Sequence, residues 1–183
     1  MTHDPSRSYP ERVLRFCPRC GGSDLNFSSP NAFTCRSCGN PLYLNVAAAV
    51  AAIIERGDGS FLLARRNHEP ARGLLDAPGG FLEPLERAED ALRREIHEEL
   101  GLDLDELVFF GTFPNRYVFK GLTYFTCDIV FRAAPRSFDA LRLSDEIAEV
   151  VFVRPGDVAI EDLGFESVRA IVEGYRRFRE SDR

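Results

Sequence analysis

The chain has 183 residues, 44% of them hydrophobic, with 23 Lys or Arg against 29 Asp or Glu for a net charge of −6. At the usual ~100–200 residues per domain this is one full domain with at most a small module beside it, and the acidic balance speaks against a surface for unspecific nucleic-acid binding. No apolar run approaches the ~18 residues of a membrane span, and the opening MTHDPSRSYPERVLRF lacks the apolar core of a secretory signal, so a cytoplasmic protein with neither membrane nor nucleic-acid partner is expected.

Residues 1–15 are polar and Pro-containing and read as a tail or strap. Two C-x2-C pairs follow, Cys17 with Cys20 and Cys35 with Cys38, fourteen residues apart and each trailed by Gly. A two-residue spacer lets both sulfurs face one ion, and the Gly relieves the tight turn behind them. In a reducing compartment such thiols point to metal before disulfides. The expected module is a zinc ribbon over residues 16–44 holding one structural Zn2+; two disulfides or an iron site are the alternatives. Cys127 stands alone in an apolar, strand-like context and reads as a buried, inert thiol.

The main domain is expected over residues 45–183. Ala47 to Ile54 lacks alternation, as in a strand covered on both faces. Arg56-Gly57-Asp58-Gly59 supplies a turn, Phe61 to Arg66 the return strand, and Asn67 to Leu75 a loop. Asp76 to Phe81 then leads into a stretch of helical composition from Arg87 to Leu100, closed by Gly101. Beyond it, Leu107 to Thr112 reads as a strand, Phe113-Pro114-Asn115 as a break, and Arg116 to Phe131 as a hairpin about Gly121. An acidic loop from Leu141 to Glu149, a short strand to Val153 and a closing helix with Phe165, Val168, Ile171, Val172, Tyr175 and Phe178 at helical spacing complete the chain.

At ~100° per residue, Ala88, Ala91, Leu92 and Ile96 share one arc of the helix before Gly101. Glu95 and Glu99 fall inside the same arc and Glu98 on its edge. Carboxylates near a core are costly unless paired or bound to metal, and like charges at i, i+4 repel. The placement calls for cations, and three convergent carboxylates suit a hard divalent ion such as Mg2+.

From Gly80 to Leu102 the sequence GFLEPLERAEDALRREIHEELGL matches G-x5-E-x7-R-E-U-x-E-E-x-G-U, with U aliphatic, at every defined position. The chain is thereby identified as resembling the Nudix family. The resemblance implies an α/β/α sandwich with a mixed sheet, and hydrolysis of a nucleoside diphosphate linked to another group by water attack on phosphorus. Carried over residue by residue, it implies Glu95, Glu98 and Glu99 as ligands for Mg2+ or Mn2+, with the Gly80 carbonyl as a further ligand. Glu86 and Arg94 are implied as a supporting ion pair that fixes the loop against the helix. For the general base, Glu95 is the first choice, followed by Glu146 and Glu149.

A ribbon directly before such a domain is similar to the NADH pyrophosphatase group. Members of that group carry Ser-Gln-Pro-Trp-Pro-Phe-Pro shortly after the box, whereas this chain has Gly111-Thr112-Phe113-Pro114-Asn115-Arg116-Tyr117 and no Trp. The substrate is therefore open among NADH, ADP-ribose and related dinucleotides. Arg65, Arg66, Arg72 and Arg116 are candidates for phosphate, and Phe110, Phe113, Tyr117 and Tyr124 for stacking on a base, with Arg66, Arg116 and Tyr117 foremost. The alternative function is a non-catalytic nucleotide-sensing or nucleic-acid-associated module, and the ribbon is expected to support the domain or a homodimer interface.

Overall fold

The computed structural model describes residues 5–181, so residues 1–4 of the expected tail lie outside the described part. A single helical turn, α1 (Pro10–Val13), precedes strands β1 (Leu25–Ser29), β2 (Ala32–Cys35) and β3 (Pro41–Tyr43). Then follow β4 (Ala47–Glu55), β5 (Phe61–Arg66), β6 (Leu75–Asp76), β7 (Gly79–Phe81), helix α2 (Ala88–Leu100), β8 (Leu104–Phe119), β9 (Leu122–Pro135), β10 (Ile147–Val153) and helix α3 (Glu166–Ser181). The chain falls into two compact units, Met1–Ala47 with Arg116–Phe125, and Ala48–Asn115 with Thr126–Arg183.

In the first unit β1, β2 and β3 form an antiparallel sheet in that order. β3 occupies what the sequence reads as a link, because the turn after Cys38 brings the Asn40 carbonyl back to the Cys35 amide and delivers Pro41–Tyr43 alongside β2. Among the described residues, buried apolar side chains here are few: Pro10, Cys17, Ala32, Phe33 and Cys35. Ahead of Cys17, Tyr9 stands edge-on to Phe125 at 5.2 Å and the Ser8 hydroxyl lies 2.7 Å from that of Thr123, both contacts within this unit.

The second unit is built on a sheet of order β10-β5-β4-β9-β8, with β6 on β5 and β7 on β4. The unalternating run of β4 is explained by two cores, one on each face. Val50, Ala52 and Ile54 join Leu62 and Ala64 of β5 beneath Ala91, Leu92, Ile96 and Leu100 of α2. Ala51 and Ile53 join Phe61 and Leu63 beneath Val168, Ile171, Val172 and Tyr175 of α3. The period of two is present, but both phases are apolar because both faces are covered. The result is helix, sheet, helix, in which each fully buried Leu or Ile contributes about 1.5–3 kcal/mol.

One expected break is absent. β8 runs through Phe113-Pro114-Asn115 without interruption. It lies at the end of the strand order, and an edge strand has one side whose N–H groups need no partner, which is where Pro is tolerated. The hairpin turn to β9 uses Lys120 (φ 47°) and Gly121 (φ 79°), the two left-handed positions that the right-handed strand twist prefers. Among the described residues, no helix is long and apolar enough to cross a membrane.

Candidate active site and metal centres

α2 starts after Arg87 and ends at Gly101, whose left-handed backbone (φ 66°) lets its amide reach the His97 carbonyl at 2.9 Å. The packing of Ala91, Leu92, Ile96 and Leu100 fixes the rotation of the helix and leaves Glu95 and Glu99 half-buried beside the core, with Glu98 more exposed. The Glu99 carboxylate accepts the Gly79 amide at 3.0 Å.

Gly79, just before the box, and Gly80, its first position, let the backbone come close to its surroundings. A Cβ on Gly79 would lie 2.9 Å from the Ala51 Cα and closer still to the Val50 carbonyl oxygen, and its φ of 144° is itself unfavourable to L side chains. A Cβ on Gly80 would fall 2.5 and 2.6 Å from the two carboxylate oxygens of Glu95. The backbone of β7 is thus laid directly against the box carboxylates.

Arg94 binds Glu86 through two parallel hydrogen bonds, Nε to Oε1 at 2.9 Å and Nη2 to Oε2 at 2.8 Å. Its Nη1 donates to Glu95 at 2.8 Å and to Glu98 at 3.3 Å, and Nη2 also reaches the Phe81 carbonyl at 3.2 Å. The bidentate pair, with help from the Glu83 amide, holds the Glu86 carboxyl down at about 2. Glu99 goes the other way. Burial, opposed by the Gly79 amide and reinforced by the charges of Asp76, Glu95 and Glu146, pushes it up to about 8. Burial likewise raises Glu95 despite Arg94, with Glu98 and Glu146 adding to the effect. Carboxylates raised by burial and by one another form a site of concentrated negative potential. With the Gly80 backbone pressed against it, this oxygen-rich cluster fits a hard divalent cation.

Glu146 lies on the loop before β10, close enough to raise both Glu95 and Glu99, and its exposed carboxylate makes no hydrogen bond or ion pair among the described residues. Glu149, by contrast, is ion-paired with Arg65 at 2.5 Å.

Several other side chains singled out by sequence are committed elsewhere. Arg66 binds Asp76 at 2.9 Å and the Pro70 carbonyl at 2.7 Å, and its guanidinium lies 5.1 Å from the centroid of Phe165. Arg65 also reaches the Gly73 carbonyl. Phe110 and Phe113 pack into the core beneath α3. Arg116, Tyr117 and Tyr124 belong to the hairpin tip grouped with the first unit, while Arg72 is exposed. Asp76 joins the site without a motif to mark it: mostly enclosed beside Arg66, its carboxyl is pushed up to about 6 by desolvation and contributes to the field at Glu99. Only its place three residues before Gly79 could have drawn attention to it.

In the first unit the four sulfurs of Cys17, Cys20, Cys35 and Cys38 all lie within 4.8 Å of one another. Two of the separations are 3.9 Å, between Cys17 and Cys38, and 3.7 Å, between Cys20 and Cys35. Ligands at ~2.3 Å from one tetrahedral ion stand about 3.8 Å apart, so the tetrad fits a closed four-thiolate metal site and is consistent with a zinc ribbon. Cys127 lies apart from it, on β9 and partly buried.

The family profile of the NUDIX domain matches residues 45–172. Among curated proteins, the chain is 29% identical over 115 residues to the NAD-capped RNA hydrolase NudC of Vibrio parahaemolyticus, covering 63% of this chain and 44% of that protein. It is 31% identical over 168 residues to the NAD-capped RNA hydrolase NudC of Pseudomonas syringae pv. tomato, covering 90% and 56%. The chain therefore spans about half the length of these relatives. Among solved structures it is similar to a NUDIX hydrolase from Nitrosomonas europaea, with a TM-score of 0.69 at 24% identity over 91% of both chains, a likeness of fold. It is also similar to the MutT NUDIX hydrolase from Burkholderia pseudomallei, with a TM-score of 0.60 at 26% identity over 70% of this chain and 96% of that one.

Proposed function

This chain belongs to the Nudix family, and from that premise we propose that it hydrolyses the diphosphate of a nucleoside diphosphate linked to a second group. The observation that carries the reading is the gathering of Glu95 and Glu99 against the Gly79–Gly80 backbone, with Glu98 joined to Glu95 through Arg94 and with Glu86 and Arg94 bracing the loop. Glu95, Glu98, Glu99 and the Gly80 carbonyl would hold Mg2+ or Mn2+. Bound divalent cations neutralise the diphosphate and so remove the charge barrier to an attacking oxygen.

The residues of the chain do the rest. Arg94 keeps Glu86 on the helix and orients the Glu95 carboxylate through Nη1. As the water oxygen bonds to phosphorus and the bridging P–O bond breaks, the water must lose a proton. Glu146 is better suited to accept it than Glu95, whose Oε1 is taken up by Arg94, or Glu149, held by Arg65. The products are two phosphate monoesters. The Cys tetrad would hold one structural Zn2+.

The substrate class is a nucleoside diphosphate linked to a second nucleoside or a sugar, such as NADH or ADP-ribose. A second form of it, the NAD-type cap at the end of an RNA, is favoured by the distribution of charge. Residues 1–47 and 116–125 carry seven Lys or Arg against three Asp or Glu, while the remainder carries 16 against 26. Even with the two negative charges of a zinc tetrathiolate, the first unit stays cationic, as an RNA backbone requires. The two relatives are named for that substrate.

The test is a turnover screen with Mg2+ and Mn2+ over NADH, NAD+, ADP-ribose, sugar nucleotides, nucleoside triphosphates and an NAD-capped oligoribonucleotide beside its triphosphate counterpart. Hydrolysis of a dinucleotide, abolished by Glu98→Gln in a protein of unchanged thermal midpoint, is the expected result. Full turnover of Glu98→Gln in saturating Mg2+ would remove the metal-ligand assignment. Tight binding without turnover of any substrate would favour a nucleotide sensor instead.

A further inference from the structure

The loop that carries Glu146 is held from two sides by contacts that lie outside the box. On one side the Ser144 amide donates to the Glu99 carbonyl at 2.9 Å and the Arg142 amide to that of Leu100 at 2.9 Å, tying the loop to the C-terminal end of α2. On the other, the segment just after β5 grips the next two residues. The Asn67 amide donates to the Glu146 carbonyl at 2.8 Å, the Asn67 side-chain Nδ2 to the Asp145 carbonyl at 2.8 Å, and His68 Nε2 sits 3.0 Å from the same Asp145 oxygen. A carbonyl oxygen can only accept, so His68 carries its proton on Nε2. Both lone pairs of the Asp145 carbonyl are thereby used. Immediately beyond, β10 opens with an irregularity against β5, where Ile147 faces Arg66 and Glu149 faces Arg65. Such a bulge re-aims the side chains beside it.

We propose that Asn67 and His68 are positioning residues that clamp the Asp145–Glu146 peptide and so fix the Glu146 carboxylate toward Glu95 and Glu99. The inference rests on the reading of Glu146 as the proton acceptor. The peptide plane between residues 145 and 146 sets the direction in which the Glu146 side chain leaves the backbone. Two side-chain donors on the Asp145 carbonyl lock that plane, and the Asn67 amide locks the carbonyl that follows. Without the side-chain donors, water would solvate the Asp145 carbonyl equally well and the plane would turn. The loss would appear in turnover, because proton transfer depends on geometry within a hydrogen-bond length. It would not appear in substrate affinity, since neither side chain is needed to hold the diphosphate.

The experiment compares Asn67→Ala, His68→Ala and His68→Gln, each in the wild-type and in the Glu146→Gln background. Hydrolysis is followed on NADH, ADP-ribose and NAD+ in Mg2+, and hydrogen exchange at residues 144–147 is followed in the same full-length proteins. Glu146→Gln alone is expected to lower kcat at least about a hundredfold. Asn67→Ala should lower kcat about tenfold and His68→Ala several-fold, with KM within about twofold and the thermal midpoint little changed. His68→Gln, whose amide nitrogen can donate to the same carbonyl, should recover most of the His68→Ala loss. In the Glu146→Gln background neither alanine variant should lower kcat further, and in both backgrounds exchange at 144–147 should quicken while that of α2 does not. Equal losses in both backgrounds, or unchanged exchange at 144–147, would overturn the clamp alone and leave Glu146 in its role. Unchanged kcat in Glu146→Gln itself would overturn the proton-acceptor reading and the clamp with it.

Discussion

The two adjacent glycines of β7 show how differently neighbouring residues can matter. At Gly79 the obstacle is backbone: the Val50 carbonyl and the Ala51 Cα of β4 cannot move without breaking the central strand. At Gly80 it is the far end of Glu95, a flexible side chain. Gly79→Ala is therefore expected to destabilise the fold by about 3 kcal/mol or more, through collision and a φ that L residues avoid. Gly80→Ala should fold with a thermal midpoint within a few degrees of wild type and lose at least about tenfold in kcat, because the Glu95 carboxylate is pushed aside. Parallel thermal melts and turnover measurements check both. A Gly80→Ala enzyme of full activity would mean that Glu95 need not stand where it does.

At the scale of elements, the tie between loop and helix is the Glu86–Arg94 pair. Its effect on stability has a definite sign with pH. The folded-state carboxyl of Glu86 is held near 2 against an ordinary 4.5. The stabilisation is thus fully present above about pH 4.5 and is lost as pH falls toward 2. Wild type should melt higher than Glu86→Gln at neutral pH, and the gap should close between those two values. A gap that stays constant down to pH 2 would show that the pair does not hold the loop.

Elements also explain what could be read from the sequence. The box was legible because its spacing is local, with Glu86, Arg94, Glu95, Glu98 and Glu99 all within fourteen residues of one another and on one loop and helix. The Cys tetrad was legible for the same reason, as two short knuckles. The two-faced burial of β4 was legible as a run without alternation, since neither face tolerates a polar residue. Pro114 misled, because whether a strand is an edge is a property of the sheet and not of the strand. The contacts of Asn67 and His68 with Asp145 were illegible, since they join residues 78 and 77 positions apart through the pairing of β5 with β10. Arg66 looked free for phosphate only because the two-residue β6, which brings Asp76 to it, leaves no periodic signal.

For the molecule as a whole, the two units differ in what can hold each one folded. The second has an apolar core on each face of its sheet and two helices to cover them. The first buries little beyond Pro10, Ala32 and Phe33 with two of its four tetrad cysteines, too small an apolar core to offset the entropy of ordering nearly sixty residues. In a module of this kind the binding of metal by the thiolates supplies the missing folding free energy. The protein as purified should carry about one zinc per chain by metal analysis. Removing it with a chelator, or replacing Cys35 by Ser, is expected to abolish hydrogen-exchange protection in β1, β2 and β3 while β4, β5 and α2 stay protected. If exchange in β1 to β3 were as slow without metal as with it, the ribbon would be stabilised by its few apolar contacts alone, and the tetrad would have to be explained by something other than structural metal binding.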